Sequence, residues 1–332
     1  MHFRSLGSSD LEVSVIGLGA INFAHPQRIT DLAESAAVIH RCLDAGINFI
    51  DTADAYGHGE SEVHVGHALR GRRDQAIIST KFKLSDFRDG DPWPGATVRE
   101  RIIKSVDRSL TKLETDYVDL YQLHHPEPDI PHDEILEPLN DLVAAGKVRY
   151  IGECNYSAWR HAQSNAVSEQ HDWPRMVSVQ GYYNLLRRHV ELEVLPYCTA
   201  NQVGFIPYRP LADGWLSGKY AWGDPTNDVG RPRLVPLQGD ESKRPVLEAL
   251  TTFANERGHS MLELAFAWLL AHPAVSSVIA GVSNPEQVAA NAACAEWTMT
   301  MQERDAVDAI VAWDGTGQEV EEPGGHSMKP RR

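Results

Sequence analysis

The sequence predicts a (β/α)8 TIM barrel of the α/β class, with an N-terminal β-hairpin and long loops at its C-terminal mouth. Short apolar runs typical of β-strands recur eight times, and segments with helical spacing separate them. An open doubly wound sheet is the alternative. The even spacing favours the barrel, and so does "GLGAIN" at 17–22, which is a weak match to a dinucleotide fingerprint. The eight runs cover residues 13–19, 47–52, 76–82, 117–124, 148–153, 176–180, 203–208 and 275–281.

The elements follow one another in a regular order. "FRSLGSSDLEVS" opens the chain and predicts a short hairpin that could close the bottom of the barrel. Apolar residues at three- and four-residue steps predict helices in "DLAESAAVIHRCLDAGI", "TVRERIIKSVDRSLTKLE", "HDEILEPLNDLVAAGKV" and "MLELAFAWLLAHP". Residues 212–242 form a long loop after the seventh strand. We expect one domain over 1–313 and a flexible tail over 314–332, because that tail is rich in Gly, Pro and charge.

Composition limits the function classes. The 332 residues carry a net charge of −15, which disfavours nucleic acid and anionic membrane surfaces as partners. No run of about 18 apolar residues predicts a membrane span. The four cysteines form no CxxC pair, so neither a disulfide framework nor a zinc site is expected. These observations predict a cytoplasmic protein with reduced thiols. The cysteines are Cys42, Cys154, Cys198 and Cys294.

Four titratable side chains fall where successive strands end. Active sites of such barrels lie at the carboxyl ends of the strands. Asp51 lies at the end of the second run with Tyr56 just beyond it, Lys81 lies at the end of the third run and His124 at the end of the fourth. A tyrosine has a pKa of about 10, too high for efficient proton transfer at neutral pH. We expect Lys81 to lower it, Asp51 to hold Lys81, and the imidazole to orient a carbonyl oxygen. Asp51 taken alone would be more typical of a turn or a helix cap.

Several motifs in the same order make the chain recognisable. It resembles the aldo-keto reductase superfamily from about Phe3 to Trp313, on "FRSLGSSDLEVSVIGLG", "GINFIDTADAYGHGESE", "STKF", "DYVDLYQLHHP", "AGKVRYIGECN", "YRPLADGWLSGKY" and "IAGVSNPEQVAAN". The resemblance implies the barrel fold and an NAD(P)(H)-dependent oxidoreductase, which transfers hydride between a nicotinamide and a carbonyl or alcohol. Tyr56 would then be the general acid or base, and carbonyl reduction the reaction.

The resemblance also implies a set of cofactor contacts. Three positions match those that usually hold the nicotinamide carboxamide, and Tyr208 matches the aromatic side chain that stacks on its ring. Other matches lie near the pyrophosphate or at the loop and helix that hold the adenosine half. The full set is Gly19, Ala20, Asp51, Cys154, Asn155, Gln180, Tyr208, Arg209, Leu211, Lys219, Arg231, Gly281, Ser283, Gln287 and Asn291. A helix beginning near "SNPEQ" would offer free amides to a phosphate.

Departures from the family pattern bear on the cofactor. Many relatives have serine where Cys154 and Arg209 stand. NADP-preferring members often have Arg or Lys near positions 283–284, where this chain has neither. We expect NADP(H), with NAD(H) possible, and the hypothesis is that Arg231 or Arg233 reaches the 2′-phosphate instead.

Alternatives remain at this stage. A cofactor-binding regulatory protein with slow turnover would share the fold, and a metal-dependent hydrolase could use Asp51, His124 and His125. His64 and His67 share a helix face, but without a third ligand we expect no metal. Loop composition does not identify the substrate. Residues expected to line its pocket are Phe23, Tyr56, Trp93, His124 and His125.

Overall fold

Eight parallel strands form a barrel. The computed structural model describes residues 1–85, 90–219, 243–313 and 315. The strands are hydrogen-bonded in the order β10-β3-β4-β5-β6-β7-β8-β9. The remaining gap is bridged next to β10, where the Phe205 amide donates to the Ala274 carbonyl and the Ser276 amide donates to the Phe205 carbonyl. The strands are β3 Ile16–Gly19, β4 Phe49–Asp51, β5 Ile77–Phe82, β6 Val118–Leu123, β7 Val148–Cys154, β8 Met176–Tyr182, β9 Gly204–Tyr208 and β10 Val278–Gly281.

An antiparallel hairpin, β1 Phe3–Ser5 and β2 Glu12–Ser14, closes the bottom of the barrel. Its apolar side chains form a separate core cluster with one inward side chain from most barrel strands, including Phe49, Leu120 and Ile206. Gly7, in the hairpin turn, has a φ of +58°. A Cβ there would overlap the carbonyl oxygen of Val177, so only glycine lets the turn lie this close to the strands. The hairpin residues in this cluster are Leu6, Leu11 and Val13.

Helices surround the barrel and pack their apolar faces on it. Side-chain caps fix where several begin: Thr97 with Glu100, Ser260 with Glu263 and Thr300 with Glu303 form capping boxes. In the described residues the helices are α1 Leu32–Asp44, α2 Glu60–Ala68, α3 Val98–Leu113, α4 His132–Ala144, α5 Ala158–His171, α6 Val194–Asn201, α7 Lys243–Asn255, α8 Met261–Leu270, α9 Pro285–Ala293 and α10 Met301–Val311.

The predicted barrel and hairpin are confirmed, and two strand boundaries are wrong. Residues 13–19 do not form one strand, because the chain leaves the hairpin at Ser14 and enters β3 only at Ile16. The last strand begins at Val278, since Val275 forms only an isolated bridge to Phe205. The expected tail lies outside the described residues apart from Gly315, as do residues 220–242 of the long loop. The domain limits stay a prediction.

Two further expectations concern cysteines and membranes. All four cysteines are free thiols and all are buried, which agrees with small packing residues without disulfides. Among the described residues, every helix is too short or too polar to cross a bilayer.

Candidate active site

The barrel brings the four titratable side chains together at the carboxyl end of adjacent strands. Asp51 is the last residue of β4, Lys81 lies near the end of β5, and His124 directly follows β6. Tyr56 follows β4 in a 3-10 turn, Tyr56–Gly59. The Tyr56 and His124 rings meet edge to face, with centroids 5.8 Å apart. The juxtaposition expected from the strand ends is therefore present.

Lys81 is the centre of this group. Its Nζ donates to Oδ2 of Asp51 at 2.6 Å, to the Thr52 carbonyl at 2.9 Å and to the Tyr56 hydroxyl at 3.4 Å. An ammonium has three donors, so all three are engaged. The side chain is fully buried. Its three hydrogen bonds compensate for the hydration that the charged ammonium loses on burial.

Asp51 is oriented by neutral donors as well. The Ser79 hydroxyl donates to its Oδ1 at 3.0 Å, and the Gln180 amide donates to the same atom at 2.9 Å. Gln122 donates in turn to Ser79 at 2.8 Å. These side chains come from β4, β5, β6 and β8, so the barrel interior itself holds the carboxylate in position.

The turn that carries Tyr56 needs unusual backbone angles. Gly57, His58 and Gly59 all have positive φ, at 55°, 56° and 87°. A Cβ on Gly59 would overlap Nζ of Lys112 and approach the Asp54 carbonyl oxygen to 3.1 Å. Glycine therefore lets this turn fold back onto α3 and present Tyr56 to the barrel.

Burial changes the proton affinity of this group. Burial raises the pKa of Tyr56 to about 12, against the opposing effect of the Lys81 ammonium. For Lys81, burial is the largest single effect and acts to lower the pKa, but the charge and hydrogen bond of Asp51, together with Tyr56 and Cys154, outweigh it and the net pKa is raised. The expectation that Lys81 acts to lower the pKa of Tyr56 agrees with the direction of its charge and hydrogen bond, but desolvation of the phenolate is larger and the net pKa of Tyr56 is raised.

His124 is held as a neutral imidazole. Burial and then the nearby Lys81 charge bring its pKa well below the ordinary value. Its ring stacks face to face on His125 at 4.7 Å, and its amide donates to the Phe82 carbonyl at 2.9 Å. Nδ1 is buried without a hydrogen-bond partner among the described residues. A neutral imidazole of this kind can donate one hydrogen bond to a carbonyl oxygen.

The next strand ends bring together the residues expected around the nicotinamide. The Tyr208 hydroxyl donates to Oδ1 of Asn155 at 2.8 Å, and Nδ2 of Asn155 donates to the His124 carbonyl at 3.1 Å. Asn155 adopts a φ of 64°, a left-handed conformation that asparagine tolerates. Cys154 lies 3.7 Å from Oε1 of Gln180, and burial raises the pKa of its thiol to about 12. A half-buried tyrosine ring and amide side chains thus adjoin Tyr56 and His124.

The expected phosphate contacts are only partly supported. Arg209 has a φ of 52°, and its Nε lies 3.7 Å from Asp213. Leu211 is half-buried and Lys219 exposed, so both are accessible. Arg231 and Arg233 lie outside the described residues.

Two amides at the start of α9 are already used. Oε1 of Gln287 accepts from the Ser283 amide at 2.8 Å, and the Gln287 amide donates to Oδ1 of Asn284 at 3.0 Å. The expectation of free amides at this helix start is therefore wrong for these two groups. Of the other residues expected near the adenosine half, Gly281 is exposed and Asn291 is buried.

Two cofactor contacts, Gly19 and Ala20, are expected at the end of β3, and the structure supports Ala20 less well than Gly19. Gly19 ends β3 beside Gly281 of β10 in the barrel register. Ala20 has no exposed surface, and its carbonyl accepts from the Ser61 hydroxyl at 2.9 Å. A direct contact between Ala20 and a cofactor is not supported by this burial.

One expected pocket residue is misplaced. Phe23 is fully buried, packs in the main core and stacks near His64, with centroids 6.4 Å apart. Its assignment to the pocket wall is wrong, because the turn after β3 directs the ring inward. Trp93 is half-buried with the Arg108 guanidinium 5.1 Å from its ring centroid, and His125 is half-buried beside His124. Those two stay candidates.

Some residues of the mouth escaped the sequence analysis. Tyr182 stacks on Tyr208 with centroids 5.5 Å apart, and Arg187 lies over Tyr182. The position of "GYY" directly after Gln180, at the end of a predicted strand, could have marked Tyr182. Nothing in the sequence marked Arg187, because its position depends on how the loop after β8 folds back over the barrel mouth.

The donor set fits a nicotinamide dinucleotide. Tyr208 offers an aromatic face, Asn155 and Gln180 are amides suited to a carboxamide, and Arg209 and Lys219 are cations for phosphates. Within the described ranges, no group of three or more His, Cys, Asp or Glu side chains could hold a metal ion. The metal-dependent hydrolase hypothesis therefore has no ligand set in this part of the chain.

Comparison with known proteins gives a consistent result. The model of the Aldo/keto reductase family matches residues 15–312. The chain is 34% identical over 319 residues to aldo-keto reductase YhdN of Bacillus subtilis (strain 168), covering 94% of each chain. It is 33% identical over 333 residues to L-glyceraldehyde 3-phosphate reductase of Escherichia coli O157:H7, covering 94% of this chain and 93% of that one. It is 32% identical over 329 residues to a probable voltage-gated potassium channel subunit beta of Oryza sativa subsp. japonica, covering 94% and 97%.

Proposed function

The chain belongs to the aldo/keto reductase family, and from that premise we propose that it is an NADP(H)-dependent oxidoreductase that reduces an aldehyde or ketone to the alcohol, or catalyses the reverse. The relatives named as reductases support an oxidoreductase in general. The preference for NADP(H) and the carbonyl substrate are our proposals.

One observation carries the proposal. The buried ammonium of Lys81 contacts both the Asp51 carboxylate and the Tyr56 hydroxyl, and the edge-to-face contact brings His124 beside the same tyrosine. A structural salt bridge needs no phenol and no imidazole. Arranged together, the four groups suit proton transfer to or from an oxygen atom.

Each residue has a distinct task in this chemistry. Tyr56, with its raised pKa, keeps its proton at neutral pH and donates it to the carbonyl oxygen. Lys81 stabilises the phenolate that results, and Asp51 keeps the lysine charged and in place. Neutral His124 donates a hydrogen bond that orients the substrate carbonyl. The nicotinamide, when bound, supplies the hydride.

The cofactor would lie across the ends of β7 to β10. Tyr208, Asn155 and Gln180 would hold the nicotinamide, and Arg209 with Lys219 would face the phosphates. Discrimination of the 2′-phosphate by Arg231 or Arg233 stays a hypothesis, since no cation stands at positions 283–284.

The test compares wild-type protein with Tyr56→Phe. Consumption of NADPH is followed with a panel of neutral aldehydes and ketones, and binding of NADPH and NADH is measured by quenching of tryptophan fluorescence. We expect Tyr56→Phe to lose at least about a hundredfold in kcat, within the range of a lost general acid, while cofactor affinity is unchanged. Equal rates for the two proteins would contradict the assignment of Tyr56.

A cofactor-binding regulatory protein is the second candidate. The similarity to a probable voltage-gated potassium channel subunit beta, over nearly the whole chain, supports this second hypothesis. Under that function, wild type and Tyr56→Phe would both bind cofactor and both turn over slowly with every carbonyl in the panel.

A further inference from the structure

A second lysine, Lys83, lies two residues beyond Lys81, where the chain leaves β5. Lys81 directs its side chain into the barrel, whereas Phe82 and Leu84 pack in the main core with the helices. Because alternate residues of an extended chain point to the same side, Lys83 shares the face of Lys81. Its side chain is therefore directed toward the barrel mouth.

Hydrogen bonds on both sides fix the backbone at Lys83. The His124 amide donates to the carbonyl of Phe82 at 2.9 Å. The carboxylate of Glu127, which is 6% exposed, accepts from the Ser85 amide at 3.1 Å and from the Ser85 hydroxyl at 2.6 Å. The chain on either side of Lys83 is thus bonded to the end of β6 and the loop that follows it, the part of the barrel that carries His124.

The charge of Lys83 acts on groups of the candidate active site. Burial, Lys81, His125 and then Lys83 lower the pKa of His124. Lys83 also opposes the rise in the pKa of Asp54 that burial causes. These two residues follow the strands on either side of β5, so the ammonium lies within electrostatic reach of the imidazole that would orient a carbonyl oxygen.

This ammonium differs from its neighbour in having no partner. The charge of Lys81 is balanced by Asp51 at 2.6 Å. For Lys83, the described part of the chain shows neither a hydrogen bond nor an ion pair to Nζ, although the side chain is half-buried. Asp54, which feels the Lys83 charge, already lies 3.9 Å from Arg108. An unpaired cation therefore stands beside the proton-transfer group.

Position and charge together point to an anionic ligand. An unpaired lysine on an open surface is often only a solvated charge, but Lys83 is half-buried and lies beside His124. A chain of net charge −15 repels an anion on approach, so a local cation is needed where an anion is to be held. An ammonium offers three donors and binds single oxygen atoms of a carboxylate or phosphate.

We propose that Lys83 is a specificity-determining residue that binds an anionic group of the carbonyl substrate, a carboxylate or a phosphate, while the carbonyl oxygen lies between Tyr56 and His124. The inference rests on the proposed function, because it names the substrate class of that same site. The cofactor phosphates are expected at the ends of other strands, so Lys83 is not one of their contacts.

The experiment changes the charge at Lys83 and compares matched carbonyl compounds. The variants are Lys83→Met, which keeps an apolar stem without the charge, and Lys83→Arg, which keeps the charge. Lys104→Met, at an exposed lysine of α3, is the control for the loss of one positive charge. The substrate pairs are 2-carboxybenzaldehyde and 4-carboxybenzaldehyde, each with its methyl ester, and glyceraldehyde 3-phosphate with glyceraldehyde.

The first readout is discrimination within each pair. Wild type should have a higher kcat/KM for the anionic member of at least one pair. Lys83→Met should lower the ratio of anionic to neutral kcat/KM by about tenfold or more, the effect of a lost hydrogen bond to a charged group. Lys83→Arg should keep much of the ratio, and Lys104→Met should keep all of it. A loss of general stability would lower both members together and leave the ratio unchanged.

The second readout is binding without turnover. Titration calorimetry measures the affinity for each acid and its ester with NADP+ present, so that no hydride is transferred. Tighter binding of an acid than of its ester, lost in Lys83→Met, would support the site even if wild type reduces none of the compounds, a result that would overturn only the proposed function. Equal binding of acid and ester by wild type, a ratio unchanged in Lys83→Met, or an equal change in Lys104→Met would overturn the site itself.

Discussion

Nζ of Lys81 lies 2.6 Å from Oδ2 of Asp51, and both side chains are almost completely removed from solvent. Each charge is stable in this environment because the other is present. Buried ion pairs of this kind contribute little net stability, but breaking one leaves an uncompensated charge. The same pair supports the Tyr56 hydroxyl, so stability and activity should respond to its loss in different ways.

Lys81→Met should abolish activity and destabilise the fold. We expect a fall of at least about a hundredfold in kcat, and a loss of about 3 kcal/mol in the free energy of unfolding, because Asp51 is left buried and unpaired. Thermal or urea unfolding and steady-state kinetics measure the two effects. The double variant Asp51→Leu/Lys81→Met is the control, and it should recover stability without recovering activity. Recovery of activity in the double variant would contradict the role of Lys81 beside Tyr56.

The pH dependence should differ between the two directions of the reaction. Burial raises the pKa of Tyr56 to about 12, so the tyrosine keeps its proton across neutral pH. Burial and Lys81 hold the pKa of His124 well below its usual range, so His124 does not titrate there either. Carbonyl reduction should have a flat kcat between about pH 6 and 9, and alcohol oxidation should rise about tenfold per pH unit. A plateau in oxidation below about pH 9 would mean that bound ligands bring the tyrosine pKa down.

Gly59→Ala should disturb the turn that presents Tyr56. The residue has a φ of +87°, and the new methyl group would overlap Nζ of Lys112. We expect a loss of about 1 kcal/mol or more in stability and a fall in kcat, because a side chain is strained at this positive φ and the Asp54 carbonyl oxygen, 3.1 Å from the new carbon, is backbone that cannot rotate away as the Lys112 side chain can. Gly71→Ala is the matched control, since Gly71 has a φ of +73° but nothing within 4 Å of the new atom. Equal stability losses and unchanged kcat in both variants would show that only backbone strain matters at Gly59.

Asp54 should make stability fall as pH rises toward neutrality. Burial, and then the charge of Glu62, raise its pKa to about 7, while Arg108 and Lys83 oppose the shift. The folded state therefore keeps a proton that the unfolded chain loses near pH 4. Stability should decline between about pH 4 and 7 and level off above, by on the order of 4 kcal/mol.

Asp54→Asn is the variant that tests this slope. It removes the titrating group and should flatten the decline in unfolding free energy between about pH 4 and 7, measured by urea unfolding. The exposed Asp133→Asn is the control and should leave the slope as it is. A slope that persists in Asp54→Asn would assign the titration to Glu62, whose pKa burial also raises.

The hairpin, the barrel and most of the candidate site could be predicted from local patterns. Strand and helix periods are properties of neighbouring residues, so the eight repeated units were visible without any contact being known. The rule that polar strand ends meet at one mouth then brought Asp51, Lys81 and His124 together. The errors fell where a turn decides direction, as with Phe23 and with the strand that begins at Ile16.

The amino-acid sequence by itself determined the class of fold, the order of its elements and which titratable side chains reach the mouth, because these depend on local periodicity and on residue type at strand ends. Only the tertiary structure decided how those side chains act. Desolvation raises the pKa of Tyr56 by more than the Lys81 charge lowers it, because the barrel buries both groups. How deeply a side chain is buried depends on many residues that are distant in the sequence. Likewise Arg187 lies over the Tyr182 ring because it exchanges backbone hydrogen bonds with Asn184, and Asn184 also ties that loop to the Arg209 carbonyl across the ends of β8 and β9.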